Sequence, residues 1–245
     1  MKIFLSGIEA GGEFPLVEKE FKEFKWMLCS YYYLKQDVFE KVLKKSELMM
    51  IDSGAHSFQK GKKVDWQNYT RRYADWISKN DSNKILGYFE MDVDNILGYE
   101  KVLELRSILE NASDKIIPVW HKNRGIEDFK SMCKRYQGKI IAITGFKNED
   151  IRDDQYILFL KHAWDNNCKV HCLGMTRQKI LTKVPFDFVD SSSWKQKAIH
   201  GNIGNKKVTK EYSRNYRYNV MIENLKLAIN MQNEYYMKWR KVNND

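Results

Sequence analysis

Eight short runs of β-branched and aromatic residues punctuate the chain, each followed by a polar or glycine-bearing turn and then a helix-like segment. Continuous apolar strands alternating with helices predict an α/β fold, a parallel sheet covered by helices. Eight such units in 245 residues match the count and length of a (β/α)8 TIM barrel, formed as one domain over residues 1–245.

The predicted strands are Lys2–Ser6, Lys25–Tyr31, Leu48–Ile51, Ile85–Met91, Ile116–Trp120, Ile140–Thr144, Val170–Leu173 and Phe186–Val189. The predicted helices between them are Val38–Lys45, Trp66–Lys79, Tyr99–Asn111, Ile126–Tyr136, Asp153–Trp164 and Arg177–Thr182. A doubly wound open sheet is the structural alternative. It usually carries a glycine-rich phosphate loop after its first strand, and Ser6-Gly7-Ile8-Glu9-Ala10-Gly11-Gly12 does not match that fingerprint. With 3 prolines, 13 glycines and no low-complexity stretch, nothing reads as a linker.

Composition narrows the class. At 43% hydrophobic and 30% charged the chain buries a core, which excludes disordered and fibrous proteins. No run approaches a membrane span, and Glu9 arrives too early for a signal-peptide core, so no membrane partner is expected. Cys29, Cys133, Cys168 and Cys172 are too few and scattered for a disulfide scaffold, which fits a reduced, cytoplasmic setting. The net charge is +10, and 11 basic against 4 acidic residues lie between Lys195 and Asp245. A basic segment of that kind attracts polyanions, nucleic acid foremost, or forms a solvated helix.

In a barrel the chemistry sits at the C-terminal ends of the strands. Here those ends read Asp52-Ser53-Gly54, Glu90-Met91-Asp92-Val93-Asp94, Trp120-His121, Thr144-Gly145-Phe146, Leu173-Gly174-Met175 and Asp190-Ser191-Ser192-Ser193-Trp194. An Asp at a strand end also caps turns and helices. Three strands delivering carboxylates to one rim suit glycosyl chemistry, with one acid attacking an anomeric carbon and another managing the proton. Glycines among them allow close backbone approach to a flat ligand.

These residues resemble the tRNA-guanine transglycosylases, barrels that exchange guanine for a 7-deazaguanine through a covalent aspartyl intermediate. The family's Asp-Ser-Gly-Gly-Phe-Gln motif is similar to Asp52-Ser53-Gly54-Ala55-His56-Ser57-Phe58, its base-reading Asp to Asp92, and its Gly-Gly-Leu stretch to Thr144-Gly145-Phe146. Its Met-Gly-Val-Gly and Phe-Asp-Cys segments resemble Leu173-Gly174-Met175 and Phe188-Val189-Asp190-Ser191, in the same order. The series runs from about Leu48 to Gly201. The family's Cys-x-Cys-x-x-Cys plus His zinc motif has no counterpart. Cys168-Lys169-Val170-His171-Cys172 reads as a core strand, with His171 on the opposite face from Cys168, Val170 and Cys172, so no metal site is expected. A short chain without the zinc lobe resembles the phage and bacterial DNA-guanine transglycosylases, which insert 7-deazaguanines such as preQ0 into DNA and protect it from restriction.

That resemblance implies Asp190 as nucleophile and Asp52 as general acid and base. It implies a base pocket of Asp92 (or Asp94), Ser53, Gly54, His121, Gly145 and Gly174. The aromatic and basic residues that follow Asp190 point to nucleic-acid contacts from Trp194, Lys195, Lys197, His200, Lys206 and Lys207, or form a solvated loop before the last helix. The implied partners are DNA, or tRNA, together with a free 7-deazaguanine and the departing guanine, and no cofactor is implied. A nucleoside or sugar hydrolase with the same carboxylates, and an inactive nucleic-acid-binding module, are the readings of other classes.

Overall fold

The computed structural model describes residues 1–58, 64–144, 151–208 and 214–243. Nine strands form one sheet: β1 (Lys2–Ser6), β2 (Phe24–Ser30), β3 (Ser46–Asp52), β4 (Ile85–Phe89), β5 (Ile116–Ile117), β6 (Val119–Trp120), β7 (Ile140–Thr144), β8 (Lys169–Leu173) and β9 (Phe188–Ser191). Their order is β5-β4-β3-β2-β1-β9-β8-β7-β6, with every pair parallel.

The two ends of that order are the halves of one predicted strand. Pro118 separates β5 from β6, and a proline has no N–H to give to a ladder. Before it, Ile117 accepts from Glu90 N–H on the β4 side; Pro118 itself offers only its carbonyl, to Ala142 N–H of β7. The sheet is therefore a nearly closed, TIM-like barrel with nine strands where the sequence predicted eight.

Helices α1 (Phe14–Glu20), α2 (Gln36–Lys45), α3 (Trp66–Asn80), α4 (Asp94–Leu97) and α5 (Tyr99–Glu110) flank the first half. Helices α6 (Ile126–Arg135), α7 (Tyr156–Asp165), α8 (Gln178–Leu181), α9 (Ser193–Ile199) and α10 (Arg214–Trp239) flank the second. Sequence periodicity missed α1, α4 and α9, all short. Pro15 at the start of α1 is a helix-initiating signal, since its missing N–H is unpaired there anyway. Between α9 and α10 lies a two-stranded hairpin, β10 (Asn202–Ile203) with β11 (Lys206–Lys207).

Strand side chains alternate between two cores. The larger lies between sheet and helices and takes Ile3, Leu5, Met27, Cys29, Met49 and Ile51 with helix residues such as Val42, Tyr73 and Leu105. The smaller has buried members only from the sheet strands, among them Phe4, Trp26, Met50, Phe89, Val119 and Phe188, and is the barrel interior. At the N-terminal end of the strands, α10 closes the interior: Gln232 donates to the carbonyls of Ile3 (2.7 Å) and Trp26 (3.0 Å), and Tyr236 packs on the Trp26 ring. The last helix thus buries one face as a structural element and leaves other residues exposed. Among the described residues no helix is long and apolar enough to cross a membrane.

Candidate functional site

The interior core carries its alternation on into polar residues at the C-terminal rim. Ser30 follows Leu28 by two positions, Asp52 follows Met50 and Asp190 follows Phe188, so each continues an inward-facing row. Register aligns Ser30 with Asp52 across β2 and β3, while β1 joins β2 to β9. Asp52 and Asp190 therefore share one mouth, as the sequence predicted.

Asp52 sits in a tight turn. Its Oδ2 accepts the Gly54 N–H (3.0 Å), and Gly54 adopts φ +77°, a left-handed conformation that glycine takes without strain. Burial first, and then the charges of Asp190, Asp92 and Glu9, raise the Asp52 pKa to about 7 against the Gly54 N–H bond, which lowers it. Glu9, which sequence reasoning left out, is buried beside them: its Oε1 accepts the Ser30 N–H (2.9 Å), and burial pushes its carboxyl up against that bond. Four acids thus crowd one mouth, and the one at Asp52 is poised to give or take a proton near neutral pH.

Asp190 is held through a single oxygen. Its Oδ1 accepts the Gly174 N–H (2.8 Å) and lies 3.1 Å from His171 Nε2. Both contacts fall on Oδ1 and leave Oδ2 outside them. The rule of alternation correctly set His171 opposite Cys168, Val170 and Cys172, which are buried in the outer core. It did not show that the inward His171 would reach Asp190.

Asp92 and Asp94, which the sequence could not rank, differ sharply. Asp94 is 5% exposed and paired with Arg124 (2.9 Å), whose guanidinium also donates to the Val119 carbonyl (2.6 Å). Asp92 is 32% exposed and bonds His121 Nε2 through Oδ1 (2.7 Å). Asp92 is therefore the carboxylate open to a ligand. Burial alone would lower the His121 pKa; the Asp92 bond and the charges of Asp92 and Asp94 outweigh it, and the net shift is upward. Ligand-type atoms of Asp92, Asp94 and His121 lie within 4.8 Å of one another. Within the protein, Asp94 is paired with the Arg124 cation and Asp92 with His121.

Several expected contacts are placed elsewhere. Ser53 is buried, its Oγ turned to the Ala55 N–H and its carbonyl accepting from Tyr69 Oη (2.7 Å), so it builds the turn and not a base pocket. A side chain on Gly54 would meet Tyr32 Cβ at 2.4 Å; the glycine makes room for Tyr32. Gly174 serves Asp190. Trp194 is 3% exposed and donates to the Ser6 carbonyl (3.1 Å), so its ring is packed under the rim and not free to stack. Lys195 binds the carbonyls of Gly7 and Ala10 and the Glu13 carboxylate, tying down the β1–α1 loop. The last two corrections share one cause: adjacency in sequence to Asp190 does not say which way a helical side chain points. Lys206, Lys207 and His200 are exposed, and Lys197 lies 3.4 Å from Asn205 Oδ1. Gly145 falls outside the described residues.

Two clefts lie elsewhere on the described surface, and neither is lined by Asp52, Asp92 or Asp190. One of 540 Å³ lies beside the Asp52 turn, lined by Tyr31, Tyr32, Phe58, Tyr69 and Arg72. The other, of 770 Å³, runs between Gly11–Glu13, α9 and the start of α10, and presents His200, Tyr216, Arg217 and Tyr218. Comparison with protein-family models, curated proteins and solved structures found no match to this chain.

Proposed function

We propose that this chain is a base-exchange transglycosylase, a single-domain (β/α)8 barrel without a zinc lobe, that replaces guanine in DNA with a free 7-deazaguanine such as preQ0. The observation that carries this reading is the pairing of two unlike acids at one mouth. Asp52 is a proton-transfer group with a pKa near 7, while Asp190 is anchored through one oxygen with the other available.

In the proposed reaction Asp190 Oδ2 attacks C1′ of a deoxyguanosine. The C1′–N9 bond breaks and its electron pair leaves with guanine, which takes the proton Asp52 supplies. The incoming base then gives a proton to Asp52 and attacks C1′, and the C1′–O bond returns its electrons to Asp190. Two displacements retain configuration. Asp92, open beside His121, accepts from the N1–H and exocyclic amine of the base. The target base leaves its stack to reach the mouth. The exposed Lys206, Lys207 and His200, with Arg217 of the second cleft, supply the phosphate contacts in this reading.

A nucleoside hydrolase is the second reading, favoured by the commitment of Trp194 and Lys195 to the fold. Incubation with radiolabelled guanine and either duplex DNA or tRNA separates the readings. Label entering DNA alone supports the proposal, label entering tRNA alone moves the substrate to RNA, and base release without incorporation supports the hydrolase.

A further inference from the structure

His171 is fully buried in the barrel interior, among the rings of Phe89 (4.9 Å between centroids), Phe4 (6.3 Å) and Phe188 (6.5 Å). Its Nδ1 is buried with no hydrogen-bond partner, and its Nε2 lies 3.1 Å from Asp190 Oδ1. A histidine in an apolar cage carries a desolvation cost that a leucine or phenylalanine there would not. With Nδ1 facing no acceptor, the ring proton belongs on Nε2 and is donated to the carboxylate.

We propose that His171 is the positioning residue of the Asp190 nucleophile. Resting on the base-exchange reading, it holds Oδ1 together with the Gly174 N–H so that Oδ2 faces C1′ and the carboxylate is favoured over its sugar ester. Before attack both donors meet an anionic oxygen. In the covalent intermediate Oδ1 has become an ester carbonyl, a weaker acceptor, because the negative charge has left with the guanine electron pair. When the incoming base displaces C1′, the electron pair of the C1′–O bond returns to Asp190 and both hydrogen bonds strengthen again. Removing the His171 donor therefore shifts the balance between free enzyme and covalent adduct toward the adduct. It also slows turnover, since Asp190 loses one of its two restraints.

The test uses His171→Phe, which fills the cage without a donor, and His171→Gln, whose amide N–H reaches the position of Nε2. Each protein is equilibrated with duplex DNA over a range of guanine concentrations, quenched under denaturing conditions, and the protein–DNA adduct is quantified. In His171→Phe the guanine needed to reverse half of the adduct rises about tenfold, as expected for a lost hydrogen bond to a charged group, and kcat falls roughly 10–100-fold with KM for the base unchanged. His171→Gln recovers most of both. Thermal unfolding of the variants confirms that they fold. A His171→Phe equilibrium within twofold of wild type, or a His171→Gln protein no better than His171→Phe, overturns the proposal. If the wild-type protein forms no adduct with DNA or RNA, the base-exchange reading fails, and the pair is read by NMR instead. The His171 ring N–H resonance should then shift in Asp190→Ala, and an unmoved resonance overturns the pairing itself.

Discussion

Asp52→Asn should make the protein more stable and inactive, and the gain should depend on pH. Asp52 moves from an unfolded pKa of 3.8 to about 7 in the folded chain, mainly through burial. A group with a raised folded pKa contributes stability that is fully present below the unfolded value and is lost as pH rises through the folded one. Three units at about 1.36 kcal/mol each give a ceiling of about 4 kcal/mol of lost stability above pH 8. Asparagine keeps an oxygen for the Gly54 N–H but carries no charge, so it escapes that loss. Relaxation and water at the mouth lower the figure, and we expect a gain of about 2–4 kcal/mol at pH 8.5 against near zero at pH 4. Urea denaturation of both proteins between those limits measures it, with equal m-values confirming that the unfolded states match. Other titrating groups are common to both proteins and cancel in the difference to first order. A difference that stays flat with pH would refute the reasoning, and so would one that shrinks as pH rises. Exchange should fall by roughly 10²–10⁴ in the same variant, the range for a lost general acid–base.

Asp92→Asn should raise KM for the free base and also lower the pKa of His121, because the negative charge that strengthens its bond and helps outweigh its burial is lost; NMR titration of the ring checks this, and an unmoved pKa would break the pair. Lys206 and Lys207 changed to Gln should flatten the salt dependence of DNA binding by about one to two units of log Kd per log salt. Lys195→Gln should instead destabilise the fold by about 1–3 kcal/mol, since it leaves the Gly7 and Ala10 carbonyls without their donor. Glu90→Leu should cost about 3–5 kcal/mol by stranding Arg106, to which Glu90 is paired at 2.5 Å inside the structure; chemical denaturation reads both losses.

The strands were legible because a buried parallel sheet demands continuous apolar runs, and these stand out between charged helices. The split at Pro118 was legible only in hindsight, since a proline within a run says that pairing is interrupted but not that the two sides pair with different neighbours. The place of Asp52 and Asp190 at the rim could be read because their strands end where the apolar run ends. His171 could not, because an inward histidine on a core strand looks like packing until its partner is known. Counting inward positions on adjacent strands would have found it, as β8 lies beside β9 in the sheet. Trp194 and Lys195 were misjudged because a seven-residue helix turns side chains in every direction, and α9 was not itself predicted. The ranking of Asp92 over Asp94 depended on Arg124, a residue thirty positions away in sequence that no local pattern links to either.

Base exchange by double displacement requires a covalent bond between Asp190 and the sugar. It is tested by incubating the protein with guanine-containing duplex or single-stranded DNA, quenching under denaturing conditions, and mapping the modified peptide by mass spectrometry. We predict an adduct on the peptide that carries Asp190, dissolved by added guanine and absent from Asp190→Ala, whose DNA binding survives. Exchange that proceeds in Asp190→Ala at even a tenth of the wild-type rate would contradict it, as would an adduct mapping to another residue.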